Sequence, residues 1–484
     1  MKKCFCMLMV LFCLSSTIFA FCGCEKNVKV GCRYEINVEY NPENETLAGT
    51  SKCTFENWTD GAISVLKFQL YPNAYKKDAL YKPIAQGKEE SAYYDGESYG
   101  EMVISSVNNA KSWEVMGDDG NILFVYLQNE LFPNEKVTLD IAFLLKVAKV
   151  NHRTGITPHT VNFGNFFPIL CGIKNGGFYE LNYYSTGDPF YSDCADYKVT
   201  VTLPKGYEVA TSGEVVSERV LESKTKYTFT AEKVRDFAFV VARDYKVIQQ
   251  EITGNTLYYY YYQDEQPEKT LEIMVEAFDF FEKQFGDYPY RSYALAQTKL
   301  CENGFEFPRL SLLADHLKQE EKPLEIAHEI AHQWWGMCVG SDQTEQAWQD
   351  EGLAQYSAIL FLDAFEKYGL NKETATMQAL KEYRDYYDVY GSVLGRTDTK
   401  MIRHLKDFIG DYEYRCIAYD KAVVMLNTLE KSIGEEKFIK GLRKYYKENQ
   451  YKTVTYDHLI GCYEKVGADV RGFFESFLYG KAIL

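Results

Sequence analysis

Short stretches in the first half of the chain alternate between apolar and polar residues. Every second side chain is apolar or aromatic in residues 34–40, 137–143 and 197–203. A period of two places one face of a segment toward a core and the other toward solvent, as in antiparallel sheets. Segments rich in turn-forming residues, such as 42–44 and 118–121, separate these stretches. The pattern therefore predicts an all-β module of two packed antiparallel sheets.

The pattern changes near the middle of the chain, where five consecutive Tyr follow Leu257. Aromatic residues favour strands, so residues 257–262 predict one more strand at a domain junction. Beyond Pro267, apolar residues recur every three or four positions, which is typical of helices that pack on one face. Later helices are predicted at residues 372–387, 417–432, 435–448, 455–466 and 470–479. The fold class is therefore α+β with more than one domain, and its second part is mainly helical.

Composition narrows the possible partners of the chain. Its 484 residues carry a net charge of −16, and a chain of this length predicts two or three domains. Because acidic chains repel phosphates, neither nucleic acid nor anionic lipid is expected as a partner.

Eight scattered cysteines follow the first 24 residues, without a C-x-x-C pair. Disulfides and buried free thiols both remain open for them, and the oligomeric state is not indicated.

The first 24 residues are predicted to be a leader rather than part of a domain. A short basic start precedes an apolar stretch over residues 4–22, as in signal peptides. Gly23 before Cys24 loosely fits a bacterial lipoprotein processing box, so lipidation, simple cleavage and an uncleaved anchor all remain open. No later stretch has about 20 continuous apolar residues, which a membrane span requires. We therefore expect the body outside the cytoplasm, secreted or tethered to the outer face of the membrane through its N-terminus.

The candidate chemistry is concentrated in residues 327–336, Ala-His-Glu-Ile-Ala-His-Gln-Trp-Trp-Gly. His328 and His332 lie four positions apart, so on a helix both imidazoles project from one face. They can share one Zn²⁺, with Glu329 beside the water that the metal binds. A third ligand from a carboxylate would leave one tetrahedral position open, as in catalytic zinc sites. Glu351, which precedes an apolar run and is predicted to open a buried helix, is a candidate, although spacing alone leaves several acids possible.

His-Glu-x-x-His followed by Glu at this interval resembles the gluzincin metallopeptidases. Residues 328–336 and 348–356 are similar to the zinc site of the aminopeptidase N family, in a short form without the helical C-terminal domain. Further similar phrases occur at residues 66–74, 188–193 and 234–241, whereas the polar segment 81–114 matches least and is predicted to be a surface loop. The resemblance implies one Zn²⁺ per chain, held by His328, His332 and Glu351. After the predicted leader at residues 1–24, it implies an N-terminal β-saddle domain at 25–248 and a thermolysin-like catalytic domain at 249–484.

The resemblance also assigns roles to residues around the metal. Residues 303–307, Asn-Gly-Phe-Glu-Phe, look like the family's Gly-x-Met-Glu-Asn stretch, which implies that Glu306 binds the substrate's α-amine. The first, third and fifth positions depart from that stretch, and Glu302 belongs to a competing alignment that keeps the Glu-Asn dipeptide. Residues 417–422 resemble the family's Tyr-x-Lys-Gly segment, which implies that Tyr419 stabilises the oxyanion, with Tyr414 as the alternative.

Together these residues imply a zinc-dependent aminopeptidase, a hydrolase that removes residues from peptides with a free N-terminus. Glu329 is expected to act first as the base and then as the acid. Gln333 and the following tryptophans are expected to support the metal helix, and Gln355 could accept a hydrogen bond from a ligand histidine. Two alternatives remain open: an endopeptidase with the same zinc chemistry, and a surface peptide-binding protein with a decayed site.

Overall fold

The computed structural model describes residues 30–252, 254–395 and 397–482. The predicted leader and the candidate lipidation site at Cys24 lie outside these residues. Within the described ranges, none of the helices combines the length and the hydrophobicity of a membrane-spanning segment.

The first part of the described chain is an N-terminal domain built mainly from strands. Its elements are β1 (Cys32–Asn41), β2 (Thr46–Glu56), β3 (Ile63–Gln69), α1 (Glu89–Ala92), β4 (Glu101–Asn108), β5 (Ala110–Met116), β6 (Ile122–Leu131), β7 (Lys136–Lys146), β8 (Thr154–Ile156), β9 (Thr160–Phe163), β10 (Ile169–Leu170), β11 (Ile173–Lys174), β12 (Gly177–Phe178), β13 (Ala195–Pro204), β14 (Glu208–Thr211), β15 (Glu214–Val220), β16 (Lys224–Val234) and β17 (Phe239–Ala242). A seven-stranded sheet has the order β15-β16-β13-β1-β2-β7-β4, and the four-stranded sheets have the orders β10-β3-β6-β5 and β14-β17-β9-β8. Strands β11 and β12 form a separate pair.

The predicted alternation is confirmed in these sheets. In β1, Tyr34, Ile36 and Val38 face the core, while the residues between them are exposed. One pairing departs from the antiparallel prediction, because β1 and β13 run parallel in the seven-stranded sheet. Parallel neighbours need a long crossover connection, and the strands between β1 and β13 supply one.

The predicted surface loop at residues 81–114 is wrong in its second part, which forms β4 and most of β5. In β4, Met102, Ile104 and Val107 face the core. The register shifts between Ile104 and Ser106 where β4 pairs with β7. A bulge of this kind inserts an extra residue and breaks the period of two, so the segment does not show the pattern of a strand.

The second part of the chain combines one sheet with a set of helices. Its elements are β18 (Lys246–Ile252), β19 (Asn255–Tyr261), α2 (Pro267–Phe285), β20 (Ser292–Thr298), β21 (Gly304–Phe307), β22 (Leu310–Ala314), α3 (Lys322–Ala331), α4 (Gln343–Gln346), α5 (Glu351–Ala364), α6 (Lys372–Leu394), α7 (Asp411–Arg415), α8 (Lys421–Ile433), α9 (Glu435–Asn449), α10 (Tyr456–Lys465) and α11 (Arg471–Leu478). The sheet has the order β18-β19-β20-β22-β21. The predicted domain boundary at residues 248 and 249 falls inside β18, which belongs to this second sheet.

Helix α3 carries the candidate metal motif and is held from behind by aromatic packing. Trp334, which follows α3, is fully buried, and its ring contacts Phe278 and Phe281 of α2 at centroid distances of 5.5 and 5.8 Å. Its indole N–H donates to the carbonyl of Gly286 at 2.9 Å. Buried aromatic pairs contribute about 0.5–1.5 kcal/mol each beyond the area they bury. The end of α3 is therefore fixed against the helix that packs behind it.

Candidate metal and peptide site

Three buried side chains from two helices meet at one point. His328 lies in α3, His332 directly follows it, and Glu351 is the first residue of α5. The Nε2 atoms of the two histidines are 2.9 Å apart, and Glu351 Oε2 lies 3.4 Å from each of them. The structure therefore brings together the three metal ligands that the resemblance implies.

This arrangement has the geometry and the chemistry of a zinc site. A tetrahedral ion with bonds of about 2.0–2.1 Å separates its ligands by about 3.3–3.4 Å. Both spacings of Glu351 have this value, and the two histidine nitrogens lie closer together, at 2.9 Å. Glu351 Oε2 is among the buried atoms of the described residues that have no hydrogen-bond partner. Burial raises the pKa of Glu351, but the two histidines outweigh it and hold this pKa below its ordinary value. Two imidazoles and one ionised carboxylate fit Zn²⁺ and leave a fourth position open.

A further carboxylate orients one of the ligand histidines. Asp350 Oδ1 lies 2.7 Å from His332 Nδ1, so Nε2 keeps its lone pair for the metal. Gly336 has a φ of +101°, and a Cβ there would lie 2.4 Å from Asp350 Oδ1. Because Gly336 has no side chain, it leaves room for the carboxylate of Asp350. The acceptor for this ligand histidine is therefore Asp350 rather than Gln355, the residue that the sequence suggests.

Replacing Asp350 by Ala is expected to weaken zinc binding by about 10–100-fold, the usual cost of losing such a partner. The reason is that His332 loses the acceptor that fixes its tautomer and ring orientation. Zinc affinity, measured by competition with a chromogenic chelator, checks this expectation. Asp350→Asn retains an acceptor oxygen and should lose less; unchanged affinity in Asp350→Ala would show that His332 is oriented by something else.

Glu329 lies in α3 between the two histidines, and 3% of it is exposed. Its Oε2 is another of the buried atoms without a hydrogen-bond partner in the described part of the chain. Burial raises the pKa of Glu329 well above its ordinary value. A Cβ at Gly304 would lie 2.1 Å from Glu329 Oε1, so the glycine in β21 leaves room for this carboxylate. Glu329 is therefore a buried carboxylate beside the metal position rather than one of the three ligands.

The two candidates for the amine site lie in different surroundings. Glu306, in β21, is 8% exposed, and a carboxylate oxygen of it lies within 4.8 Å of ligand atoms of His332 and Asp350. Burial and the neighbouring Asp188 raise the pKa of Glu306. The carboxylate of Glu302 instead accepts both its hydrogen bonds from Lys88 Nζ, at 2.7 and 2.6 Å. The structure thus places Glu306 beside the ligand histidine His332, whereas Glu302 is paired with Lys88.

Both candidate tyrosines face Glu351. The hydroxyl of Tyr414 is 3.5 Å from Glu351 Oε1, and this residue is buried. Tyr419 is partly exposed and its ring stacks on His328, with a centroid distance of 5.8 Å. A π-helical turn, Cys416–Asp420, carries Tyr419 between α7 and α8. Such turns insert a residue and change the direction of the side chains that follow, and here the predicted helix at 417–432 becomes α-helical only at Lys421.

The N-terminal domain contributes an ion pair that the sequence did not indicate. Asp188 accepts a hydrogen bond from Arg153, and both side chains are buried. The Arg153 guanidinium lies 4.0 Å from the ring centroid of Phe305 and 4.7 Å from that of Phe190. The charge of Asp188 also contributes to the raised pKa of Glu306. The β-domain therefore forms one wall of the site.

Known proteins are similar to the part of the chain that carries the metal site. Residues 269–477 match the model of the peptidase family M1 domain. Aminopeptidase N of Lactococcus lactis is 28% identical over 226 residues, which are 43% of this chain and 26% of that protein. Residues 269–477 are thus similar to the peptidase family M1 domain, in line with the resemblance to the aminopeptidase N-like gluzincins. Tricorn protease-interacting factor F2 of Thermoplasma volcanium is 21% identical over 337 residues, 64% of this chain and 42% of that protein. The matched stretches thus span less than half of either relative.

Solved structures of this family extend the likeness to both domains. An M1 zinc metallopeptidase from Deinococcus radiodurans has a TM-score of 0.62 and 16% identity, covering 94% of this chain and 96% of that one. A mutant of an M1 zinc metallopeptidase from the same organism, bound to a Tyr-Ser-Ala substrate, has a TM-score of 0.62 and 17% identity, with 94% and 95% covered. The predicted α+β fold, with a β-domain followed by a mainly helical one, is therefore confirmed.

The two phenylalanines that depart from the Gly-x-Met-Glu-Asn stretch of the aminopeptidase N family have packing partners in this chain. Phe305 packs against Arg153 and against the ring of His152, at a centroid distance of 4.9 Å. Phe307 lies over Gly164, where a Cβ would be 2.4 Å from the Phe307 ring. Both aromatic side chains thus pack against residues of the N-terminal domain on either side of Glu306.

Proposed function

We propose that this chain is a zinc-dependent aminopeptidase that hydrolyses the first peptide bond of peptides with a free N-terminus. One observation carries the proposal: a carboxylate oxygen of the buried Glu306 lies within 4.8 Å of a ring nitrogen of the ligand histidine His332. An anion fixed at this distance can bind the substrate's α-ammonium and leave the first peptide bond at the metal. The family and the similarity to aminopeptidase N of Lactococcus lactis support the proposal.

In this proposal each side chain has a separate task. A zinc ion held by His328, His332 and Glu351 would activate a water molecule and polarise the scissile carbonyl. Glu329 takes a proton from the attacking water and passes it to the leaving amine. Tyr419 donates a hydrogen bond to the oxygen on which negative charge develops. The buried surroundings of Glu329 raise its pKa, which suits a carboxylate that first accepts and then donates a proton.

The experiment compares a tripeptide carrying a free N-terminus with its N-acetylated twin. We expect the free peptide to be cut at its first bond and the acetylated one to be cut at least about 100-fold more slowly, because a buried carboxylate loses its charged partner. Glu306→Gln should remove most of this difference, mainly through a higher KM for the free peptide. Values of kcat and KM, with the cleavage point read by mass spectrometry, check this result. Equal cleavage of both peptides would contradict the proposal.

The same experiment also tests the two alternative functions, an endopeptidase and a peptide-binding protein with a decayed site. Internal cleavage of both peptides would indicate the endopeptidase, which uses the metal site without an amine anchor. Binding of the peptides without turnover in the zinc-loaded protein would indicate a decayed, peptide-binding member. The proposal of an enzyme is favoured because the metal ligands, the candidate base and the tyrosines all lie around one point.

We also propose that the protein works outside the cytoplasm, secreted or tethered to the outer face of the membrane through its N-terminus. The support is in the sequence, since residues 1–24 combine a basic start, an apolar stretch and Gly23-Cys24. These residues lie outside the described part of the structure. A tether at the N-terminus would leave the peptide site, which lies in the second domain, open to external peptides.

A further inference from the structure

A single buried glutamine connects the metal helix to the strand that carries Glu306. Gln333 directly follows His332 and is fully buried. Its Oε1 accepts a hydrogen bond from the backbone N–H of Arg309 at 2.7 Å. Its Nε2 donates to the backbone carbonyl of Phe307 at 3.1 Å. The side-chain amide therefore bonds to both sides of the turn between β21 and β22.

That turn needs support, because its backbone is unusual for its sequence. Strand β21 ends at Phe307 and β22 begins at Leu310, so Pro308 and Arg309 form a two-residue connection. Arg309 has a φ of +65°, in the left-handed region that glycine or asparagine normally occupies. The favoured two-residue hairpin turns also place glycine or asparagine at their central positions. A proline-arginine turn is therefore not fixed by its own residues.

The position of this turn decides where Glu306 lies. Glu306 precedes Phe307 in β21 and pairs with Ser311 across the hairpin. A sliding or twisting of the hairpin end would move its carboxylate relative to His332. Gln333 is covalently next to His332 and hydrogen-bonded to the residue next to Glu306. It thus links the strand of the amine anchor to the metal helix through two hydrogen bonds of 2.7 and 3.1 Å. A longer contact joins the same hairpin to that helix, since Ser311 Oγ donates to the carbonyl of Glu329 at 3.4 Å.

We infer that Gln333 is a positioning residue for the α-amine site, because it holds the β21–β22 turn at a fixed distance from His332. The inference rests on the proposed function, in which Glu306 binds the substrate's ammonium group. The hydrogen bonds given for Gln333 go to the backbone of Phe307 and Arg309, so it acts through that backbone.

The hairpin has other anchors, so loss of Gln333 is expected to leave the fold intact. The Arg309 guanidinium donates to Ser292 Oγ at 2.6 Å and to Glu214 Oε1 of the N-terminal domain at 3.1 Å. These bonds hold the tip of the turn to the start of β20 and to β15 of the N-terminal domain. Gln333 in addition fixes the position of the turn relative to the metal helix. An experiment therefore has to measure how strongly Gln333 and Glu306 depend on each other.

The test is a double-mutant cycle on the zinc-loaded enzyme with the free-amine tripeptide. Gln333→Met keeps the size of the side chain and removes both hydrogen bonds. We expect kcat/KM to fall by roughly 10-fold in the otherwise unchanged chain, mainly through KM, and by less than about 2-fold in the Glu306→Gln background. A merely structural role would lower kcat/KM equally in both backgrounds, and this outcome would overturn the inference. An unchanged kcat/KM in Gln333→Met would overturn it as well.

Gln349→Met is the matched control. Gln349 is also a buried glutamine near the metal ligands, but its amide donates to the hydroxyl of Tyr445 at 2.6 Å, away from the hairpin. Whatever its effect on kcat/KM, this effect should be the same in the otherwise unchanged chain and in the Glu306→Gln background. Coupling between Gln349 and Glu306 as large as that of Gln333 would show that the cycle reports general loosening, and would overturn the inference.

A second measurement does not depend on turnover. Amide hydrogen exchange of metal-free protein, followed in the peptide that covers β21, the turn and β22, should become faster in Gln333→Met, because the Arg309 N–H loses its acceptor. Exchange elsewhere in the sheet and the melting temperature should change little. Unchanged exchange at the turn would contradict the inference. If the unaltered enzyme cuts no free-amine peptide, the proposed function fails, whereas the exchange result still reports whether Gln333 holds the turn.

Discussion

Replacing Glu329 by Gln is expected to lower kcat for peptide hydrolysis by roughly 10²–10⁴-fold and to leave the zinc content unchanged. The glutamine has nearly the same size but cannot take up the proton of the attacking water. Glu329 is 3% exposed, and its Oε2 is a buried atom without a hydrogen-bond partner among the described residues. Because it is not one of the three ligands, zinc should still bind. Steady-state kinetics and metal analysis of the purified variant check both halves of the expectation.

Glu325→Gln is a suitable control for this variant. Glu325 lies one turn earlier in the same helix and accepts a hydrogen bond from Asn303 Nδ2 at 3.3 Å. It lies outside the set that we assign to catalysis, so its loss should cost less than about 10-fold in kcat. Full activity in Glu329→Gln would remove the proposed base. An equal loss of kcat in both variants would instead indicate that activity depends on the total negative charge of the helix and not on one carboxylate that accepts a proton.

The sequence predicts the metal helix well because the relation between its ligands is local. His328 and His332 are separated by one helical turn, so their spacing alone determines that both imidazoles face the same side. Glu351 comes from another helix, and no spacing rule relates the two helices. Its assignment therefore depended on the resemblance to a family, and the structure supplies the distances of 3.4 Å to both histidines.

Residues that act through tertiary contacts could not be predicted in this way. The sequence does not indicate a role for Asp350, because an aspartate before a helix is common as a capping residue, and only the fold brings it to His332. Asp188 and Arg153 belong to the other domain, and nothing in their local sequence indicates the metal site. The strand β4 was missed for a different reason, since a bulge after Ile104 breaks its alternation. Local periodicity thus predicts elements, whereas contacts between elements need the folded chain.

Replacing Tyr419 by Phe is expected to lower kcat by about 10²–10³-fold, with a small change in KM. Loss of one hydrogen-bond donor to the developing oxyanion typically has this effect, and the phenylalanine keeps the ring that stacks on His328. Tyr419 is partly exposed at the site, so its hydroxyl can reach a bound substrate. Kinetics with the tripeptide and a measured zinc affinity check the expectation, and the zinc affinity should stay unchanged.

Tyr414→Phe separates the two tyrosines. Tyr414 is 6% exposed, and its hydroxyl lies 3.5 Å from Glu351 Oε1, so its loss acts on the ligand rather than on the substrate. We expect Tyr414→Phe to lower kcat less than Tyr419→Phe does and to weaken the zinc affinity. A larger fall in kcat for Tyr414→Phe at unchanged zinc affinity would transfer the oxyanion role to Tyr414. The π-helical turn at Cys416–Asp420 begins after Tyr414 and contains Tyr419, so it changes the relative direction of the two side chains. The two phenols are therefore both candidates for the oxyanion role.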